Sequence, residues 1–266
     1  MPALYTHARF GEAVIEYLPT PFAEKLRLHK QAFLLGTQGP DILFYHHPMK
    51  KNDVKAKGVF MHKQAGEVFF LQALKKLETY SDPLTCAEGA YVCGFLCHFT
   101  LDVVYHPYIN ANVTDTFTHG KIESELDKHF LRQDGKPVRG YNTASVISGE
   151  NGAEKACSKF LEVPLKNVRT AIKSMRKING WFSANCELFH SFAHTLLKIA
   201  GMERKFGDMF LHKKDAPRFQ PLKAELNKLF QNAIPKAAAL IQEYFNRQMT
   251  NEIYRCNYSG ILEENK

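Results

Sequence analysis

The sequence predicts an all-α protein built as a single multi-helix domain. Apolar residues recur at spacings of three and four along nearly the whole chain, which is the period of an amphipathic helix. Runs of alternating β-branched residues, which would indicate strands, are almost absent. A chain of 266 residues can bury about three quarters of its unfolded surface in one core. We therefore expect one domain over residues 1–266.

Helix starts are expected where Pro can occupy the first turn or where a side chain can cap it. Pro lacks the N–H that the first turn leaves unpaired, so it is tolerated there. Ser81, Asp82 and Thr118 are candidate N-caps, because their side-chain oxygens can accept from a backbone N–H of the first turn. The expected helices begin near Gly11, Pro21, Phe60, Pro83, Thr118, Ala153, Val163, Phe182 and Pro217.

Two polar connections interrupt the helical pattern. The first lies between Tyr45 and Gly58 and has the basic sequence HHPMKKNDVKAKG. The second runs from Gln133 to Gly152 and contains several Gly residues. Neither is expected to separate two domains, because candidate metal ligands occur on both sides of the first connection.

Composition and charge limit the class of protein. The chain is 45% hydrophobic and 23% charged, which excludes disordered and collagen-like classes. Its net charge of +8 favours an anionic partner such as phosphate, nucleic acid or acidic lipid headgroups. The start of the chain lacks the pattern of a signal peptide, and no apolar run is long enough for a transmembrane segment. We expect a cytoplasmic protein with reduced cysteines, of which Cys86, Cys93 and Cys97 share one helical face.

The strongest functional pattern is a set of His and carboxylate residues spaced by one helical turn. In CHFTLDVVYHP, successive members are four residues apart, and THGKIESELD repeats the spacing. Such residues lie on one stripe of a helix, and imidazole with carboxylate is the ligand set of catalytic zinc. The alternative is a buried ion-pair network without metal, which is costly because several charges would be buried. The residues are His98, Asp102, His106, His119 and Glu123.

Three further residues are candidates for the same site. Asp41 follows Gly-Pro in an apolar segment, where an ionised carboxylate needs a cation or several donors. Its alternative role is an N-cap for the following helix. His62 lies near an expected helix start and has a surface position as its alternative, whereas His7 is a lone N-terminal imidazole. The pair His190 and His194 has no carboxylate in helical register, so we expect these two residues to belong to the core or to support the site.

Taken in chain order, these motifs resemble the zinc-dependent phospholipase C family. That family is related in fold and metal site to the zinc-dependent single-strand nucleases. The resemblance covers roughly the first 130 residues and rests on an N-terminal His followed by LLGTQGPDILFY, MHKQ, GFLCHFTLDVVYHPYI and HGKIESELD. It implies an all-helical metallohydrolase that acts on phosphoester bonds, with phospholipid headgroups as the family's substrate.

The resemblance also implies which residues hold each zinc ion. The first ion is implied at Asp41, His62, His98 and Asp102. Asp102 would also reach a neighbouring ion. Asp41 is in addition the candidate general base, close to a hydroxide that two zinc ions about 3.5–4 Å apart can share.

A second ion is implied at His106, His119 and Glu123, and a third at His7. In the family, the third site is completed by the amine and carbonyl of a processed N-terminal Trp. The only Trp of this chain is Trp181, so we expect two zinc ions and a weak or empty third site.

Substrate contacts are predicted on the first polar connection. Lys50 and Lys51 can attract a phosphate group, with a solvated lysine loop as the alternative. Tyr45 is a candidate aromatic contact. A phosphoester small molecule, a phospholipid headgroup and single-stranded nucleic acid all stay open as substrates. The competing hypothesis is a non-catalytic zinc-containing helical protein that binds a phosphorylated ligand. A His-Asp phosphohydrolase is disfavoured because the chain contains no adjacent His-Asp pair.

Overall fold

The computed structural model describes residues 3–150, 152–199, 201 and 203–262. Within these ranges the regular structure is helical and contains no strand beyond two isolated bridges, which confirms the predicted all-α class. The twelve α-helices of the described ranges are α1 Leu4–Tyr17, α2 Thr20–Leu28, α3 Lys30–Gly36, α4 Asp53–Lys63, α5 Gly66–Leu77, α6 Ala87–Ala111, α7 His119–Gln133, α8 Ala153–Leu161, α9 Leu165–Phe182, α10 Glu187–Ile199, α11 Glu203–Phe206 and α12 Gln220–Phe245.

The first helix begins at Leu4, so the predicted start near Gly11 is wrong. The cap of α1 does not come from a neighbouring residue. Asp127, which lies in α7, accepts hydrogen bonds from the backbone N–H groups of Tyr5 and Thr6. A cap from so distant a residue leaves no local sequence signal.

The basic connection after Tyr45 is shorter than predicted, because α4 occupies its second half. Asn52 caps this helix by accepting from the backbone N–H of Lys55. The helix expected from Phe60 onward is in fact the end of α4 followed by α5, with a break before Gly66. A side chain at Gly66 would collide with the Phe99 ring, so Gly allows α5 to start close to α6.

Helix α6 is the central element of the fold, and its buried residues include Cys93 and Cys97, as predicted. It packs most extensively against α3. A Cβ atom at Gly94 would meet the Phe33 carbonyl, and one at Gly36 would meet the Tyr91 carbonyl. The two backbones therefore lie in direct contact, which fixes the position of the segment that follows α3. All six cysteines are free thiols.

Helix α7 runs beside α1 and α6, and its start was predicted correctly. The Thr118 side chain accepts from the backbone N–H of Lys121, which confirms Thr118 as an N-cap. The connection after α7 is irregular apart from a short 3₁₀ helix, Thr143–Val146. In the described part of the chain, no helix combines the length and apolar character needed to cross a bilayer. The single domain over residues 1–266 stays a prediction.

Candidate metal centre

The eight predicted metal ligands lie together where five segments meet. These segments are the first turn of α1, the 3₁₀ helix Gly39–Tyr45, the end of α4, the part of α6 from His98 to His106 and the first two turns of α7. Three groups within the cluster could each hold a metal ion, because their ligand atoms lie within 4.8 Å of one another. The groups are Asp41 with His62 and His98, His106 with His119 and Glu123, and His7 with His98 and Asp102.

The first group joins the 3₁₀ helix to α4 and α6. Asp41 Oδ1 lies 2.9 Å from His62 Nε2. Asp41 therefore faces an imidazole, and the described residues show no helix cap formed by its side chain. His62 lies in the last turn of α4 and has a mostly buried side chain. Gly39 makes this arrangement possible. Its φ of 49° is a left-handed conformation, and a Cβ atom there would occupy the position of the His98 ring.

The second group joins the end of α6 to the start of α7. His119 Nε2 lies 3.2 Å from Glu123 Oε1, and His106 Nε2 lies 3.9 Å from the same oxygen. The predicted spacing of one helical turn places His119 and Glu123 side by side. His106 comes from the other helix and completes a set of two imidazoles and one carboxylate.

Asp102 connects the groups at the centre of the cluster. Its Oδ1 lies 3.3 Å from His7 Nε2 and 3.5 Å from His106 Nε2. Its Oδ2 lies 3.2 Å from His98 Nε2. The His7 and His98 rings pack against each other, with centroids 4.4 Å apart. One carboxylate therefore contacts three imidazoles.

Hydrogen bonds hold the imidazole rings on the side away from the carboxylates. In three rings, Nδ1 donates to a backbone carbonyl, which can only accept, so Nε2 carries the lone pair of the neutral ring. In His119, Nδ1 lies 2.8 Å from Asn110 Oδ1. The three ring and carbonyl pairs are His62 with Gly58 at 2.7 Å, His98 with Thr37 at 3.1 Å and His106 with Tyr258 at 2.5 Å.

This arrangement fits a zinc ion. An Nε2 lone pair and a carboxylate oxygen that face each other at about 3 Å repel unless a proton or a metal cation lies between them. His98 Nε2 is buried and forms no hydrogen bond with the described residues, although Asp102 Oδ2 is 3.2 Å away. Imidazole nitrogen and carboxylate oxygen are ligands that zinc takes in proteins. The donor set and its orientation therefore suit the metal.

The pKa values of the cluster show how strongly its charges interact. Burial alone would raise the pKa of Asp102, but His106 and His98 hold it well below its usual range. Burial alone would lower the pKa of His106, but Asp102 and Glu123 raise it to about 9. At His7, burial and the neighbouring His98 lower the pKa. Without metal, the cluster therefore keeps its carboxylates ionised and His106 protonated at neutral pH.

Three residues that support the cluster were not predicted from the sequence. Tyr258 is the clearest example, because its carbonyl accepts from His106 and its ring packs 4.9 Å from the His62 ring centroid. Asn110 and Thr37 were also missed. Asn110 continues the spacing of four residues that links His98, Asp102 and His106, so the pattern could have indicated it. Thr37 and Tyr258 lie outside that pattern, and Tyr258 is far from the ligands along the chain.

The roles of Tyr45, Lys50 and Lys51 in substrate binding stay predictions. Tyr45 is buried, and its hydroxyl accepts a hydrogen bond from Asn179 Nδ2 at 3.2 Å. Lys50 and Lys51 are exposed in the segment before α4.

His190 is separate from the metal ligands. It is buried, with Nδ1 2.9 Å from Arg139 Nη2 and its ring 5.0 Å from Phe210, which agrees with the predicted core position. The His194 side chain lies outside the described residues.

The fold and the cluster define an all-helical protein with buried His and carboxylate groups that could hold metal ions. Comparison with known families makes this class more specific. The model of the family described as zinc dependent phospholipase C matches residues 6–176, which include all eight predicted ligands. Because the match covers more than half of the chain, the protein belongs to the zinc-dependent phospholipase C family. No curated protein and no solved structure matches the chain.

Proposed function

We propose that the protein is a zinc-dependent phosphoesterase that hydrolyses a phosphodiester or phospholipid-type substrate with at least two zinc ions bound. The observation that carries this proposal is the orientation of the imidazoles. Backbone carbonyls fix three of them so that their Nε2 atoms point at Asp41, Asp102 and Glu123. The family assignment supports a zinc hydrolase of the phospholipase C type.

We assign the ions according to the three groups. His98 Nε2 belongs to both the first and the third group, but one lone pair can bind only one ion. If His98 serves the ion at Asp41 and His62, the third group keeps only His7 and Asp102 from the described residues. The proposal is therefore two well-held zinc ions and a weaker third.

The remaining chemistry depends on which residues a substrate can reach. A zinc ion held here would supply a Lewis acid for the phosphoryl oxygens and would activate water at neutral pH. Among the three carboxylates, the Asp41 side chain is 19% exposed, compared with 5% for Asp102 and 8% for Glu123. We therefore assign to the Asp41 carboxylate the acceptance of a proton from the attacking water.

The accessible edge of the cluster is formed by Asp41, His62 and His119. A cavity of about 450 Å³ lies beside His119, lined also by Thr114, Thr118 and Asp208. A phosphate group that enters at this edge can lie between the cluster and the cavity, so the cavity can receive one of its ester substituents.

The proposal is tested by removal and return of zinc. The zinc-loaded protein should hydrolyse bis-p-nitrophenyl phosphate, lose this activity after dialysis against a chelator and recover it when zinc is restored. Asp102→Asn should recover neither zinc content nor activity, because Asp102 contacts an imidazole of each of the three groups. The control Glu225→Gln, on a side chain 41% exposed in α12, should behave as the wild type. If the zinc-loaded protein cleaved no phosphodiester, phospholipid or single-stranded nucleic acid, a non-catalytic protein that binds a phosphorylated ligand would be the better description.

A further inference from the structure

Helix α10 exposes a continuous apolar stripe. The four residues of the stripe are spaced so that they share one helical face, and each side chain is between 48% and 84% exposed. The opposite face of α10 contains His190 and Ala193 and packs against the rest of the fold. A helix that packs on one side and meets water on the other normally has a polar outer face. The stripe consists of Leu188, Phe192, Leu196 and Ile199.

Other apolar groups extend the stripe into a larger surface. Trp181 is 49% exposed and Met49 61%, and both border an apolar groove of about 400 Å³ next to α10. Phe189, Phe206 and Phe210 form part of its floor. We use the name apolar face for α10 from 188 to 199 together with Trp181 and Met49.

Basic residues supply the charged side chains of the three segments that form the apolar face, whereas Glu187 and Asp208 lie just outside these segments. Residues 46–51, 173–182 and 188–199 contain no Asp or Glu. Lys177 Nζ lies 4.8 Å above the Trp181 ring, which places a cation at the edge of the apolar surface. The six basic residues of these segments are all exposed: Lys50, Lys51, Lys173, Arg176, Lys177 and Lys198.

Two chain segments link the apolar face to the surroundings of the metal cluster. Residues 46–51 directly follow the 3₁₀ helix that carries Asp41. On the other side, residues 206–210 contribute Phe206 and Phe210 to the groove and Asp208 to the cavity beside His119. A flat binding partner that covered the apolar face would therefore lie close to the metal cluster.

We propose that the apolar face docks the protein on a lipid bilayer that contains anionic headgroups. This proposal rests on the proposed function, because it brings the cluster to a surface made of phosphoesters. An apolar helix face flanked by Lys and Arg, with a Trp at the boundary, is typical of helices that lie in the plane of a membrane interface. A second copy of this chain fits less well, since six basic residues would face six others.

Vesicle binding tests the surface with a matched control. The zinc-loaded protein should co-sediment with vesicles of phosphatidylcholine and phosphatidylglycerol at 3:1, and less with phosphatidylcholine alone. The double variant Leu188→Ser with Phe192→Ser should bind the mixed vesicles at least tenfold more weakly. Leu28→Ser should bind as the wild type, because Leu28 is 73% exposed on α2 and lies outside the apolar face. Hydrolysis of bis-p-nitrophenyl phosphate should stay within twofold for both variants.

Trp181 provides a second measurement that needs no variant, because it is the only Trp of the chain. Its fluorescence should shift to the blue on addition of the mixed vesicles and should be quenched by lipids brominated on their acyl chains. Unchanged fluorescence in the presence of sufficient vesicles would overturn the proposal even if the double variant failed to fold.

The outcomes separate docking from catalysis. Vesicle binding that depends on Leu188 and Phe192, in a protein that cleaves no phosphoester, would support the docking surface and contradict the proposed function. Equal vesicle binding by the wild type and the double variant, with full hydrolysis of the soluble ester, would contradict only the docking surface. A wild-type dimer that the double variant converts to a monomer, without vesicle binding, would show that a second copy covers the face and would also overturn the proposal.

Discussion

Replacement of Asp127 should loosen the first helix and its metal ligand together. The carboxylate accepts from the Thr6 backbone N–H at 2.8 Å, the Thr6 hydroxyl at 2.7 Å and the Tyr5 backbone N–H at 3.3 Å. These groups lie in the first turn of α1, which also contains His7. In Asp127→Ala, two backbone N–H groups and a hydroxyl lose their acceptor in a buried environment.

The two short hydrogen bonds determine the size of the effect. Each buried donor left unpaired costs about 1–3 kcal/mol, so we expect a loss of about 3–4 kcal/mol in the free energy of unfolding. For a chain of this size, 1 kcal/mol lowers Tm by about 2–4 °C, so Tm should fall by about 10 °C. Asp127→Asn should lose less, because one amide oxygen can still accept from Thr6.

Thermal unfolding followed by circular dichroism measures this effect at pH 7, with zinc content determined on the same samples. We expect Asp127→Ala to keep the zinc held by the other ligands and to lose any ion that needs His7. A Tm within about 2 °C of the wild type would refute the capping argument, since it would mean that Asp127 contributes nothing net to α1.

The pH dependence of the same residue has a definite sign. Burial outweighs the hydrogen bonds from Thr6 and Tyr5 and raises the pKa of Asp127 to about 6. Because this value lies above that of an unfolded chain, the part of the stability that comes from the raised pKa is complete below about pH 4 and is lost as pH rises through about 6. The hydrogen bonds from Thr6 and Tyr5 are also accepted by the ionised carboxylate, so their contribution persists at pH 7. The unfolding free energy of the wild type, relative to Asp127→Asn, should therefore fall between pH 4 and pH 7, and a constant difference would contradict this assignment.

Three further predictions concern the metal cluster. Asp102→Asn should weaken zinc binding more than a hundredfold, because Asp102 contacts three imidazoles. Elemental analysis after dialysis measures the zinc retained, and a zinc content equal to that of the wild type would contradict this prediction. Zinc uptake at pH 7.5 should release at least one proton, and zinc affinity should increase as pH rises toward 9, because the pKa of His106 is raised to about 9 in the metal-free protein. Calorimetry in buffers of different ionisation enthalpy measures the number of protons released. A value of zero would contradict the prediction. His7→Ala should keep phosphodiester hydrolysis within about tenfold, whereas Asp41→Asn should lose about a hundredfold or more, and the reverse order in kcat/KM would exchange their assigned roles.

The ligands could be predicted from sequence because most of them are local. His98, Asp102 and His106 share one helix, so their spacing alone places them on one face. His119 and Glu123 likewise occupy consecutive turns of α7. For these residues, secondary structure is enough to bring the side chains together.

The rest of the site depends on contacts between distant segments. The start of α1 depends on Asp127, so the helix that carries His7 was predicted to begin too late. The position of Asp41 depends on Gly39 fitting against the His98 ring, a contact that no spacing rule reports. Asn52 could have indicated α4, but its capping role was hidden in a segment dominated by Lys, Pro and Gly.

The late position of Tyr258 bears on the order in which the site is assembled during synthesis. Every predicted ligand has been translated by Glu123, yet the carbonyl that orients His106 is made much later. A zinc ion that meets the growing chain finds ligands that are present but not yet all oriented. Early capture of metal by a ribosome-bound chain would therefore be exchangeable, and firm retention would begin only after the segment around Tyr258 has folded back onto α4 and α6.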